Sequence, residues 1–127
     1  MPLERILYAE DEPDIQAVAK LALELLGGFQ VRICANGQEA LQAAGDFRPD
    51  LILLDVMMPG MDGPSTLGHL RADPSTAGIP VIFLTAKAQL DEVASYQSLG
   101  ALNVIAKPFD PMALAAQVRQ IWDAAHV

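Results

Sequence analysis

Five side chains in this sequence carry the means for metal and phosphate chemistry, and each follows a short apolar run. Glu10 and Asp11 come directly after Ile6–Ala9, Asp55 after Leu51–Leu54, and Thr85 after Val81–Leu84. Lys107 stands two places beyond Leu102–Ile105. Carboxylates gathered in one place repel one another and resist ionisation unless a cation lies among them. Oxygen donors, with no His or Cys beside them in the sequence, select a hard ion, and Mg²⁺ is the usual one in the company of phosphate. Asp11, Asp55 and a nearby backbone carbonyl would hold such an ion, with Glu10 acting through a water. The Lys107 ammonium and the Thr85 hydroxyl suit the oxygens of a phosphoryl group. A carboxylate can itself be the nucleophile in phosphoryl transfer, and Asp55 would then become an aspartyl phosphate. Any one of these residues alone is explained by helix capping or contact with water. Four strand ends bearing them together are not.

This chemistry requires the strand ends to meet, and the order of the elements implies that they do. Leu51–Leu54 and Val81–Leu84 are apolar throughout, the mark of strands covered on both faces; Val31–Cys34 is a further short run. Helical patterns lie between them. Ile15, Val18, Ala19, Ala22, Leu25 and Leu26 form a stripe closed by Gly27-Gly28, and Asn36-Gly37-Gln38-Glu39 reads as a capping box. Pro64 suits the first position of a third helix carrying Leu67 and Leu70. A fourth is expected from Gln89 to Leu99, ending at Gly100. Asp110-Pro111 starts a fifth, with Leu114, Val118, Ile121 and Trp122 on its inner face. Strand and helix in alternation predict an α/β fold, a doubly wound parallel sheet with right-handed crossovers. Ligands of such sheets bind outside the carboxyl ends of the strands.

Composition narrows the class. The 127 residues suit one domain, and a hydrophobic share of 52% supports an ordered core. No stretch reaches the length of a membrane helix, the start lacks the pattern of a signal peptide, and Cys34 is the only cysteine. A cytoplasmic protein is expected. The net charge of −8 has no basic stripe to offset it, so neither nucleic acid nor membrane is expected as a partner.

The segments Tyr8-Ala9-Glu10-Asp11-Glu12, Leu53 through Gly63, Ile79 through Ala86, and Ala106-Lys107-Pro108-Phe109 resemble those of receiver domains of two-component response regulators. The resemblance spans nearly the whole chain. It implies a flavodoxin-like fold with five strands in the order 2-1-3-4-5 and five helices, and Mg²⁺-dependent phosphorylation of Asp55 by a histidine kinase or histidine phosphotransfer protein. It further implies that Glu10 and Asp11 are the acidic pair, that the Met57 carbonyl is the third protein ligand, and that Thr85 is the switch hydroxyl. Lys107 becomes the phosphate-binding lysine, joined to Pro108 by a cis peptide. Two positions depart from the family pattern: Glu10 replaces the usual Asp, and Val104 replaces the usual Tyr or Phe that reports phosphorylation. The side chains of Met57 and Lys87 are those that flank the phosphate in the family.

Rival readings lack their residues. A haloacid-dehalogenase-like phosphatase needs a second Asp where Met57 stands, and a nucleotide module needs a Gly-rich phosphate loop. A receiver-like binding module that works without phosphorylation is the alternative. Met57, Met58 and Met61 read as adaptable loop packing, and His69 and His126 as solvated. Residues 1–127 are expected to be one stand-alone receiver domain with no output domain, a signalling protein rather than an enzyme. It would act through an unknown protein target in trans, as a monomer or a weak phosphorylation-dependent dimer.

Overall fold

The computed structural model describes residues 2–126. Its elements run β1 (Arg5–Ala9), α1 (Pro13–Gly27), β2 (Gln30–Cys34), α2 (Gly37–Phe47), β3 (Leu51–Asp55), α3 (Gly63–Ala72), β4 (Val81–Thr85), α4 (Leu90–Ser98), β5 (Asn103–Ala106) and α5 (Leu114–Ala125). The strands form one sheet in the order β2-β1-β3-β4-β5. Every pairing is parallel. This is the flavodoxin-like order and class expected from the sequence.

The two-residue repeat of a strand sends alternate side chains to opposite faces. Ile6, Tyr8, Leu51, Leu53, Ile82 and Leu84 face α1 and α5, where they meet Leu23, Leu114, Val118 and Trp122. Leu7, Ile52, Leu54, Val81 and Phe83 face the other side, where they meet Ala40 and Ala44 of α2 and Leu67 and Leu70 of α3. β3 and β4 are buried along their whole length, which accounts for their unbroken apolar sequence. By contrast, α4 buries none of its nine residues. Its half-buried Tyr96 meets the Phe83 ring edge-on at 5.2 Å between centroids.

Helix ends follow local chemistry with small shifts from expectation. Gly28 takes a φ of 70° after α1, a conformation open to glycine at little cost. Asn36 Oδ1 accepts from the Glu39 N–H at 2.9 Å, while Glu39 Oε1 accepts from the N–H of Ala35 rather than that of Asn36. Asp62 caps α3 by accepting from the Ser65 N–H at 2.8 Å, so α3 starts at Gly63 and Pro64 is its second residue, not its first. Asp110-Pro111 opens a turn rather than α5 itself. The Asp110 carboxylate and carbonyl accept from Met112 and Ala113, and the α-helix begins at Leu114. β5 is shifted by one residue, to Asn103–Ala106.

The stripe expected on α1 is also corrected. Ala19, Ala22 and Leu23 face the sheet, while Val18, Leu25 and Leu26 are exposed. Two small alanines let the helix lie close to the strands with Leu23 packed between, while Leu21, Leu25 and Leu26 ride on its outer side. His69 is exposed as expected; His126 is exposed too, but its ring stacks on Trp122 with centroids 3.8 Å apart.

Candidate functional site

Parallel pairing puts the carboxyl ends of all five strands on one edge. β1 ends beside β3, with Ala9 opposite Leu54, so the next residues, Glu10 and Asp55, are neighbours. Backbone hydrogen bonds continue past the strands. Val56 N–H donates to the Leu84 carbonyl at 3.0 Å, and Lys107 N–H to the Thr85 carbonyl at 2.9 Å. The register thus delivers the acids, the hydroxyl and the amine to one place, with the Lys107–Pro108 bond cis.

Lys107 Nζ is the hub. It donates to Asp55 Oδ1 at 2.8 Å, to Asp55 Oδ2 at 2.9 Å and to Glu10 Oε1 at 2.8 Å. Asp55 is 3% exposed and Glu10 fully buried. Carboxylate oxygens of Glu10, Asp11 and Asp55 lie within 4.8 Å of one another. A cavity of about 200 Å³ opens over this group, lined by Asp11, Glu12, Asp55, Met57, Thr85, Ala86 and Lys107 among others. Thr85 Oγ1 accepts from the Lys87 N–H at 3.1 Å, which leaves its own proton free to be donated.

The electrostatics reflect two carboxylates sharing one ammonium. Burial pushes the Asp55 carboxyl up to about 7, with the Glu10 charge adding to the effect and Lys107 opposing it. Burial also works against the Glu10 charge, but the hydrogen bond and charge of Lys107 outweigh it and hold Glu10 below its usual range. Burial would lower Lys107, yet its bonds to Asp55 and Glu10 hold it above its usual value. The Cys34 thiol, by contrast, is pushed up to about 11 by burial and is unreactive.

Each residue expected at the site is therefore on this edge. Met57 lines the cavity but turns most of its side chain to solvent, whereas Met58 packs into the core, so the packing role expected of these methionines holds for Met58 and not for Met57. Sequence reasoning missed three supports. The Tyr8 hydroxyl donates to Glu10 Oε1 at 3.4 Å, Gln16 Nε2 donates to the Glu10 carbonyl at 2.5 Å, and Glu12 N–H donates to Glu10 Oε2 at 3.3 Å. Only Tyr8 left a signal in the sequence: two places before Glu10 on a strand, it must share the same face. Burial and the neighbouring carboxylates hold its phenol protonated, well above the usual range.

A five-stranded parallel sheet in this order, with acids, a hydroxyl and a lysine on its carboxyl edge, is the arrangement of flavodoxin-like receiver domains. Residues 6–119 match the response regulator receiver domain family, and the chain belongs to that family. It is 40% identical over 117 residues to the DNA-binding response regulator MtrA of Mycolicibacterium smegmatis, covering 91% of this chain and 49% of that protein. The phosphate regulon transcriptional regulatory protein PhoB of Pseudomonas aeruginosa is 38% identical over 116 residues, covering 91% and 50%. Among solved structures, the chemotaxis response regulator CheY4 of Vibrio cholerae superimposes with a TM-score of 0.85 at 27% identity, covering 94% of this chain and 99% of that one. A putative response regulator from Chloroflexus aurantiacus gives 0.83 at 31% identity, covering 96% and 99%.

The chain spans about half the length of the curated relatives it matches. Those relatives correct one expectation. The acidic charge was read as excluding nucleic acid and leaving only protein partners, yet MtrA is named as a DNA-binding regulator. Net charge describes the surface of the residues that carry it. It says nothing of contacts made by other parts of a longer regulator, so the exclusion does not stand. Among the described residues, no helix is long and apolar enough to cross a membrane.

Proposed function

We propose that Asp55 accepts a phosphoryl group from a phosphohistidine donor in a Mg²⁺-dependent reaction, and that the phosphorylated domain is the signalling state. The observation that carries this reading is the convergence of three carboxylates within 4.8 Å, two of which, Asp11 and Asp55, line a cavity that also presents Thr85 and Lys107. The oxygen-only donor set fits a hard divalent ion, with Asp11, Asp55 and the Met57 carbonyl as ligands and Glu10 acting through water. When bound, the ion neutralises charge on the phosphoryl oxygens and lets the carboxylates ionise together.

The chain's own residues do the rest. An Asp55 carboxylate oxygen attacks phosphorus, the bond from phosphorus to the imidazole nitrogen breaks, and its electron pair leaves with the imidazole, which takes up a proton. The product is an acyl phosphate on Asp55. Lys107 already touches both Asp55 oxygens, and its ammonium transfers to the phosphoryl oxygens once the carboxylate charge is spent in the new bond. Thr85 donates its free proton to another phosphoryl oxygen. Positioning and charge neutralisation supply most of the acceleration in such a step.

The test is intact-protein mass spectrometry after incubation with acetyl phosphate. One phosphoryl group is expected with Mg²⁺, none with chelator, and none in Asp55→Asn. A phosphorylated Asp55→Asn variant, or a wild type inert at high donor and Mg²⁺, refutes the assignment.

A further inference from the structure

We propose that Tyr8 is a positioning residue for Glu10 and, through it, sets how tightly the acidic site holds a divalent cation; this rests on the Mg²⁺-dependent reading above. Tyr8 lies in the core between the sheet and α1, fully buried. Volume alone does not explain a tyrosine there. Phenylalanine would fill nearly the same space without burying a hydroxyl, which is costly unless the hydroxyl is hydrogen-bonded. The hydroxyl has one side-chain partner, Glu10 Oε1 at 3.4 Å.

Strand geometry makes this pairing specific. Glu10 continues the ladder one residue past β1, its N–H donating to the Cys34 carbonyl at 2.9 Å, so it shares a face with Tyr8 and its longer arm can fold toward the ring beneath it. Tyr8 and Lys107 both donate to Oε1, and the backbone of Glu12 alone contacts Oε2. Holding one oxygen from two sides fixes the orientation of the carboxylate as a whole. Glu10 thereby keeps an oxygen within 4.8 Å of those of Asp11 and Asp55, although its side chain has no contact with bulk water. Without the hydroxyl, Lys107 would be the one side chain left to orient Glu10, helped only by the 3.3 Å contact of the Glu12 N–H, while also serving Asp55.

A double-mutant cycle read by calorimetric Mg²⁺ titration tests this. Hydrogen-bonding partners behind metal ligands typically change affinity by about 10- to 100-fold when removed. The contact is long and Glu10 acts through water rather than as a ligand, so Tyr8→Phe is expected no higher than the lower end of that range, with the Mg²⁺ dissociation constant raised about five- to tenfold. Glu10→Asp shortens the arm by one methylene and takes it out of reach of the hydroxyl. In that background, Tyr8→Phe should change the constant by less than about twofold. Unfolding of each variant in chelator monitors the fold separately from the metal. An equal loss in both backgrounds means that Tyr8 acts by packing, and the proposal fails. Unchanged affinity in Tyr8→Phe overturns it as well, as does a Tyr8→Phe chain that does not fold. If the wild type itself shows no saturable Mg²⁺ binding, the proposed function falls and this inference falls with it. Saturable binding with no coupling between the two positions removes the inference alone.

Discussion

Replacing Asp55 by Asn keeps the size of the side chain and removes one negative charge from a buried site. In the folded protein the Asp55 carboxyl stands at about 7, against an ordinary value of 3.8. A folded value above the unfolded one means that the group favours the native state fully below the unfolded value. That contribution is lost as the pH rises through about 7. At about 1.4 kcal/mol per pH unit, the raised value costs the metal-free fold about 4 kcal/mol at pH 8, where the carboxyl is ionised in both states, and about 2 kcal/mol at pH 5, where it is ionised in the unfolded chain only. Glu10 is held below its ordinary 4.5 and Lys107 above its ordinary 10.5, so neither changes charge between these two pH values. Asn imitates the protonated acid and avoids the cost. In chelator, Asp55→Asn should therefore be more stable than the wild type by about 4 kcal/mol at pH 8, a rise of roughly 10 °C or more in Tm. The advantage should halve at pH 5. Saturating Mg²⁺ should stabilise the wild type and leave the variant nearly unmoved. The measurement is thermal unfolding followed by circular dichroism at both pH values, with and without the ion. A variant no more stable than the wild type at pH 8, or a gap that does not narrow at pH 5, would refute the argument from a strained carboxylate.

Three further outcomes are expected. A Cβ at Gly63 would lie 2.6 Å from the Asp55 carbonyl oxygen and 3.0 Å from Val56 Cα, both backbone atoms with little room to yield. Gly63→Ala should cost about 1–3 kcal/mol in urea unfolding and slow phosphoryl uptake, because the strain falls on the acceptor's own backbone. In hydrogen exchange, phosphate on Asp55 should alter amides at 86–98 most, since the Thr85 hydroxyl contacts the Lys87 N–H and α4 is lightly packed. Val104→Ala should leave that response nearly intact; its loss would make position 104 the switch.

The sequence carried most of the site because a parallel sheet needs only strand order to gather its carboxyl ends. Once Leu51–Leu54 and Val81–Leu84 read as buried strands, Asp55 and Thr85 had one edge to occupy. Less visible was what depends on packing between distant elements. On α1, nothing local reveals that Ala19 and Ala22 share their buried face with Leu23 rather than with Val18, Leu25 and Leu26. The late start of α5 depends on a turn closed by Asp110. The support that Tyr8 and Gln16 give Glu10 involves a contact across a strand pleat and another from a helix. Charge misled for a different reason: it reports on a surface, not on what a longer regulator reaches.

The light attachment of α4 has a consequence for change by mutation. Core positions of β3 and β4 tolerate few replacements, since truncating a buried leucine costs about 2–5 kcal/mol. Surface replacements away from special features usually stay within about 0.5 kcal/mol. On α4, Leu90, Asp91, Ser95, Gln97 and Ser98 are all exposed, and Tyr96 alone gives an aromatic grip on the core. This helix directly follows the loop that carries Lys87 on from Thr85, the last residue of β4, so it lies next in the chain to the acidic site. Its outward face can therefore be respecified residue by residue, toward one binding surface or another, while the acidic edge of the sheet stays as it is. New specificity can accumulate on α4 without spending the stability that the buried strands provide.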